Sequence, residues 1–151
     1  MKKNTFACLI LTLIAWCGCA SKTQDNPLTA SELLTQGEWT SVVNLDDIDL
    51  DGTFVEFGDD CEKDDHLIFN KNNKFQQNSG LDACDSSTAP NSVIAEGDWE
   101  LLNNDQNLVL KFPAYEIKFN IIQINDHELQ LGLIEDNNPA GVITQKLILK
   151  R

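Results

Sequence analysis

The feature that most constrains this chain is a run of period-two alternation in its second half. Tyr115, Ile117, Phe119 and Ile121 alternate with Glu116, Lys118 and Asn120, and Leu129, Leu131 and Leu133 alternate with Glu128, Gln130 and Gly132. Leu147 and Leu149 continue the habit near the C-terminus. Successive side chains of a strand point to opposite faces, so this is the pattern of antiparallel strands with one buried face. The doublet Ile121-Ile122 shifts the apolar phase and predicts a β-bulge or a bend. Polar turn clusters at 70–74, 103–107, 125–126 and 136–141 separate the apolar segments. Strands are therefore expected near 38–45, 53–57, 65–70, 74–78, 95–102, 107–112, 114–124, 127–134 and 142–150, the second being only a stub. Eight principal strands joined mainly by short turns favour an all-β, antiparallel up-and-down barrel over a Greek-key sandwich.

Ahead of the first strand, Thr29-Ala30-Ser31-Glu32-Leu33-Leu34 reads as a short N-terminal helix, with Thr29 as N-cap, Glu32 completing a capping box and Gly37 ending it. Residues 19–28 are polar and contain Pro27, the composition of a flexible tether. Residues 1–18 are different in kind. Lys2 and Lys3 precede an uncharged, mostly apolar stretch at 6–18, shorter than the roughly 20 residues that span a bilayer. That is the anatomy of a signal peptide. It ends at Trp16-Cys17-Gly18-Cys19-Ala20-Ser21, which resembles a bacterial lipobox: a small residue, Gly18, stands before Cys19, whereas Trp16 stands before Cys17. Trp16 replaces the Leu, Val or Ile usual at that position of a lipobox. The expectation is cleavage after 18, acylation of Cys19 (palmitate among the chains) and a barrel domain at 29–151 tethered to a membrane. Ala20 lacks the Asp that holds lipoproteins at the inner membrane, so the expected location is the outer membrane.

The remaining cysteines agree with export. Cys8 and Cys17 leave with the leader and Cys19 takes lipid, so Cys61 and Cys84 remain as an even pair expected to form a disulfide. No CxxC or Cys/His spacing suited to zinc is present in the mature chain. The charge balance is 24 acids against 11 Lys and Arg, a net −13, and loss of Lys2 and Lys3 with the leader makes it −13 − 2 = −15. Such a surface repels phosphate backbones, which excludes nucleic acid as an expected partner. It also discourages adhesion to anionic headgroups, so membrane contact falls to the lipid anchor.

Several landmarks fall in one order: Leu33-Leu34, then Gly37-Glu38-Trp39, Cys61-Glu62-Lys63-Asp64-Asp65, a strand ending at Phe69, the turn Lys71-Asn72-Asn73-Lys74, Gly80 to Cys84-Asp85, and Gly97-Asp98-Trp99-Glu100-Leu101. This order resembles the small lipocalin-like domain family of bacterial lipoproteins over roughly residues 30–151. Asn72-Asn73 stands where that family usually has Asp-Gly. The resemblance implies an eight-stranded lipocalin-like barrel and assigns no ligand. In a closed meander the first and last strands are neighbours, which would bring Arg151 to the barrel floor. There its guanidinium would cover the indole of Trp39, resembling the Trp–Arg contact of lipocalins.

Candidate sites are few. Asp47-Ile48-Asp49-Leu50-Asp51-Gly52 matches the first half of a calcium loop, but the twelfth position, where a bidentate Glu should close it, is Gly58. His66 and His127 are the only histidines, and no G-x-S-x-G, H-E-x-x-H or free thiol accompanies them. No catalytic residue, metal or cofactor is therefore expected. The barrel interior remains. By parity Val43, Phe69, Trp99, Leu108, Leu110, Tyr115, Ile117, Phe119, Leu129, Leu131 and Leu147 point one way. An eight-stranded barrel is just wide enough to be filled by side chains or to hold one small ligand. Val43, Phe69, Tyr115, Ile117, Phe119, Leu129 and Leu131 are accordingly expected to line either a cavity for a small apolar molecule or a solid core. With a solid core, the protein would act instead as an interaction module through its acidic loops.

Overall fold

The computed structural model describes residues 27–133 and 142–151. The expected leader, Cys19 and residues 19–26 of the tether lie outside that range. The helix α1 (Ala30–Leu34) begins where its capping box predicts: Thr29 N donates to Glu32 Oε2 at 2.8 Å, and Glu32 N donates to Thr29 Oγ1 at 3.2 Å. It stops at Leu34, before Gly37, with the Thr35 hydroxyl donating to the Ser31 carbonyl at 2.9 Å.

Nine strands follow: β1 (Glu38–Asp46), β2 (Val55–Phe57), β3 (His66–Phe69), β4 (Lys74–Asn78), β5 (Val93–Leu102), β6 (Asn107–Lys111), β7 (Glu116–Ile124), β8 (Glu128–Leu133) and β9 (Gln145–Lys150). From β3 to β9 every strand pairs antiparallel with the next. One side of β1 is shared, β3 taking Glu38–Thr40 and the stub β2 taking Asn44–Asp46. The other side pairs with β9 from Thr40↔Lys150 to Asp46↔Gln145, which closes the barrel. Among the described strands, closure leaves only the outer side of the stub β2 as an unpaired sheet edge of the kind that templates aggregation. Asparagine makes the tight turns possible. Asn73 takes φ 63°, and Asn103, Asn104 and Asp105 take 55°, 55° and 64°, left-handed values that Asn and Asp tolerate better than other side chains.

The register slips in three strand pairs, β1–β9, β4–β5 and β7–β8, and such bulges help set which residues face inward. The one expected at Ile121-Ile122 is present, with the register slipping between Ile121 and Gln123. A second lies between Ser41 and Val43. It corrects the parity expectation for Val43. That residue pairs with Ile148, which sits between the inward Leu147 and Leu149, so Val43 faces outward and Asn44 takes the inward place opposite Leu147.

The core occupies one end of the barrel, here called the floor. Leu34, Trp39, Leu108, Leu129 and Leu149 are fully buried there, and Trp99 meets Phe69 edge-on at 5.8 Å. Each such side chain contributes about 1.5–3 kcal/mol by leaving water. Both buried indoles find acceptors, Trp39 Nε1 at the Leu34 carbonyl (3.0 Å) and Trp99 Nε1 at the Asn70 carbonyl (3.1 Å). The guanidinium carbon of Arg151 lies 4.3 Å from the Trp39 ring centroid, and Nη1 donates to the Leu33 carbonyl at 3.0 Å. Trp39 and Arg151 thus satisfy the last carbonyls of α1, which no helix can satisfy internally.

Candidate functional site

The opposite end of the barrel, the mouth, is built from the same strands but is not filled. Its inner face carries Asn44 on β1, Ile117 and Phe119 on β7, Leu133 on β8, and Gln145 and Leu147 on β9, with Phe57 of β2 beside them. They enclose a chamber of about 260 Å³, which Leu45 and Lys146 also border. It stops at the packed core, because the cross-strand neighbours of Phe119 and Leu147, Leu108 and Leu131, are 0% and 1% exposed. Small-molecule sites commonly span about 300–1,000 Å³, so this one sits just under that range.

The polar groups of the mouth are sparsely engaged. Asn44 Nδ2 donates to Glu62 Oε2 over a long 3.4 Å, and Gln145 makes no side-chain hydrogen bond among the described residues. Asp46 lies on the inward face opposite Gln145 and has no ion-pair partner among the described residues. Lys146 pairs with the outward Leu45 and holds its ammonium 3.7 Å over the Phe54 ring. Around the rim, Ile48, Leu50 and Phe57 are exposed by 77%, 56% and 53%.

Of the residues expected to line a cavity or core, Ile117 and Phe119 border the chamber, while Phe69, Leu129 and Leu131 are packed in the core. Tyr115 is a correction. It is 58% exposed, because the turn at Pro113 closes with Phe112 N donating to the Tyr115 carbonyl at 2.8 Å. This leaves β7 starting at Glu116 and the Tyr115 ring stacked on Phe112 at 4.6 Å. Asn44, Phe57, Leu133 and Gln145 were not singled out by sequence. The Val42-Val43 doublet is the same signal as Ile121-Ile122 and would have pointed to Asn44, whereas nothing in the alternation marks Phe57.

Other candidates have structural employment. Carboxylate oxygens of Asp47, Asp49 and Asp51 come within 4.8 Å of one another, so these residues could hold a cation between them. The buried Asp47 nevertheless spends both oxygens on its own loop, accepting from Asp51 N (3.1 Å) and Gly52 N (2.9 Å). Asp51 in turn accepts from Thr53 N at 2.7 Å, and the Thr53 hydrogen bonds hold its carboxyl below the ordinary range. The histidines lie at opposite ends, His66 opening β3 by the mouth and His127 in the floor turn that accepts from Arg151 N. Two depressions of larger volume lie elsewhere on the described residues. One of about 530 Å³ runs over the outward Lys74, Glu96, Asp98 and Lys111, and one of about 710 Å³ lies beside α1.

A family model described as a lipocalin-like domain matches residues 35–131. The chain belongs to that family. No curated protein matches it. The matched lipocalin-like span includes the floor residue Trp39, both bridged cysteines and four chamber residues, Asn44, Phe57, Ile117 and Phe119. Leu133, Gln145 and Leu147 fall beyond it.

The acidic motif of this lipocalin-like domain is a clamp. Cys61 bridges Cys84, their Cα atoms 5.2 Å apart. Asp64 Oδ2 accepts from Leu81 N (2.7 Å) and Asp82 N (3.2 Å), and Asp65 accepts from Gly80 N (3.2 Å) and Gln77 Nε2 (3.0 Å). A Cβ at position 80 would collide with the Asp64 carboxylate, so only glycine fits there. Lys63 bridges Glu56 and Asp60, each at 2.7 Å, and its hydrogen bonds to Asp60 and then Glu56 push its ammonium up. Disulfide and carboxylates together pin the long loop between β4 and β5 to the mouth end.

Proposed function

We propose that this lipocalin-like protein is a membrane-tethered lipoprotein that holds one small, largely apolar molecule in the open end of its barrel. The chamber carries the reading: about 260 Å³ of space, walled mainly by Phe119, Leu133 and Leu147, is kept open in a barrel whose other end is filled. The tether rests on Gly18-Cys19. Pro27 and Leu28 lie beside Ile124 and His127 at the floor, so a lipid on Cys19 would leave the mouth facing away from its point of attachment. The several acyl chains on Cys19 would anchor the protein stably, two membrane signals being enough. No catalytic role is assigned, in keeping with a family that is generally non-enzymatic.

Native mass spectrometry of the protein purified from its host tests the binding. A discrete small mass should accompany the protein and be lost in Leu133→Trp, which fills the chamber. Membrane fractionation tests the tether: Cys19→Ser should shift the protein to the soluble fraction, and normal cleavage with maturation of that variant would refute lipidation. The exposed rim at Ile48, Leu50 and Phe57 favours a second reading, a protein-interaction module. In that case Leu133→Trp leaves function intact and Ile48→Ser with Leu50→Ser abolishes it.

A further inference from the structure

We infer that the chamber selects a ligand whose head group donates hydrogen bonds and is neutral or cationic, and that it disfavours carboxylate-headed amphiphiles; the inference rests on the ligand-binding reading above. The apolar part of the wall, Phe119, Leu133 and Leu147, gives no head-group preference. The polar groups at the mouth do. Two carboxylates stand next to chamber residues without lining the chamber themselves: Glu62, whose Oε2 accepts from Asn44 Nδ2 at 3.4 Å, and Asp46, which faces inward opposite Gln145; neither pairs with a cation among the described residues. Asn44 already directs its amide N–H to Glu62, and the Gln145 amide, which has no side-chain hydrogen bond among the described residues, can offer its oxygen. A donor head would gain charge-assisted hydrogen bonds here, and an anionic head would meet like charge. The net charge of −13 adds to the same bias. Lys146 is the one cation bordering the chamber, but its register directs it outward and its ammonium is seated over Phe54 at 3.7 Å. Size sets the tail. At about 30 Å³ for a water-sized group, the chamber holds about nine non-hydrogen atoms, a chain of about eight carbons with its head.

The test is methyl NMR on the full chain with Ile and Leu methyls labelled, titrated separately with octylamine, octanol and octanoate. Methyls of Ile117, Leu133 and Leu147 report on the chamber, and those of Leu34 and Leu149 report that the floor stays folded. Octylamine should saturate the chamber signals at about ten-fold lower concentration than octanoate, with octanol between them. The Glu62→Gln, Asp46→Asn double variant should bring that ratio toward unity while the floor methyls stay in place. Octanoate binding as tightly as octylamine overturns the head-group inference and leaves the chamber a binding site. A ratio unchanged in the folded double variant overturns the assignment to these carboxylates. If none of the three ligands moves Ile117, Leu133 or Leu147, the ligand reading itself fails.

Discussion

Floor and mouth are two ends of the same strands, yet they follow different rules. At the floor Trp39, Leu108, Leu129 and Leu149 are fully buried, both indole N–H groups are satisfied, and the C-terminal Arg151 is held by the Trp39 ring, the Leu33 carbonyl and, through Nε and Nη2, the Asp126 carbonyl. At the mouth the apolar side chains are only half buried, an amide and a carboxylate lack partners among the described residues, and order comes from a disulfide and two aspartates instead of packing. A barrel this small has interior for one packed layer group and little else. Concentrating close packing at one end leaves the other free to hold something that is not protein.

The largest expected effect tests that division directly. Trp39→Ala should cost about 3–5 kcal/mol, the range for deleting a buried aromatic, because cavity and lost transfer energy add. Phe119→Ala at the mouth should cost under about 2 kcal/mol, since a half-buried ring next to open space forfeits only part of its transfer energy. Urea denaturation of both variants measures the difference, and equal costs would erase the distinction between the ends. Next in size, Cys61→Ser with Cys84→Ser should cost about 3 kcal/mol in the chain-entropy account of the loop they close. That loss belongs to the mouth, so hydrogen exchange should rise in the loop from Ser79 to Ser92 and stay low at Trp39 and Leu149.

The two ends also differ in how far the sequence revealed them. At the floor Leu129, Leu131 and Leu149 stand in unbroken alternation and bury as their spacing predicts, and strand closure brought Arg151 to Trp39. Mouth residues depend on register, and a single bulge at Val42 exchanges Val43 for Asn44 on the inner face. Alternation carried one residue too far put Tyr115 inside, because the turn at Pro113 has no counterpart in a hydrophobic pattern. The Cys61 to Asp65 landmark marked Asp64 and Asp65 without giving them a role, and only the backbone N–H groups they accept from reveal the clamp. Periodicity reports burial. It does not report which strand ends splay, and the chamber is made of strand ends.

Arg151 should come third. Arg151→Ala removes the cation–π contact, worth about 0.5–2 kcal/mol, and leaves the Leu33 carbonyl with only the long 3.5 Å bond from Gln36 N. Arg151→Lys keeps a charge over Trp39 but loses the planar fork that reaches Leu33 and Asp126 together. Thermal unfolding should therefore rank wild type, Lys and Ala in that order. A lysine variant as stable as wild type would reduce the floor contact to simple charge.

The smallest effect separates the two ends by pH. Asp51 and Asp85, in the mouth loops, are held below the ordinary carboxylate range, Asp51 by Thr53 and Asp85 by the backbone N–H and then the hydroxyl of Ser87. At the floor, Glu32 is lowered by the Thr29 backbone N–H and then its hydroxyl. A lowered folded-state value means that the native chain favours the carboxylate. The stability each group contributes is complete above its unfolded value, near pH 4, and is lost as pH falls through the lower folded one. All three are solvent-exposed, so the loss is local before it is global. Amide NMR shifts of Thr29, Thr53 and Ser87 should titrate with midpoints below the ordinary carboxylate values, while the Trp39 indole N–H, bonded to a carbonyl, stays flat over the same range. If the Trp39 signal moves together with Thr53 and Ser87, floor and mouth unfold as one acid-sensitive unit and their separation is only geometric.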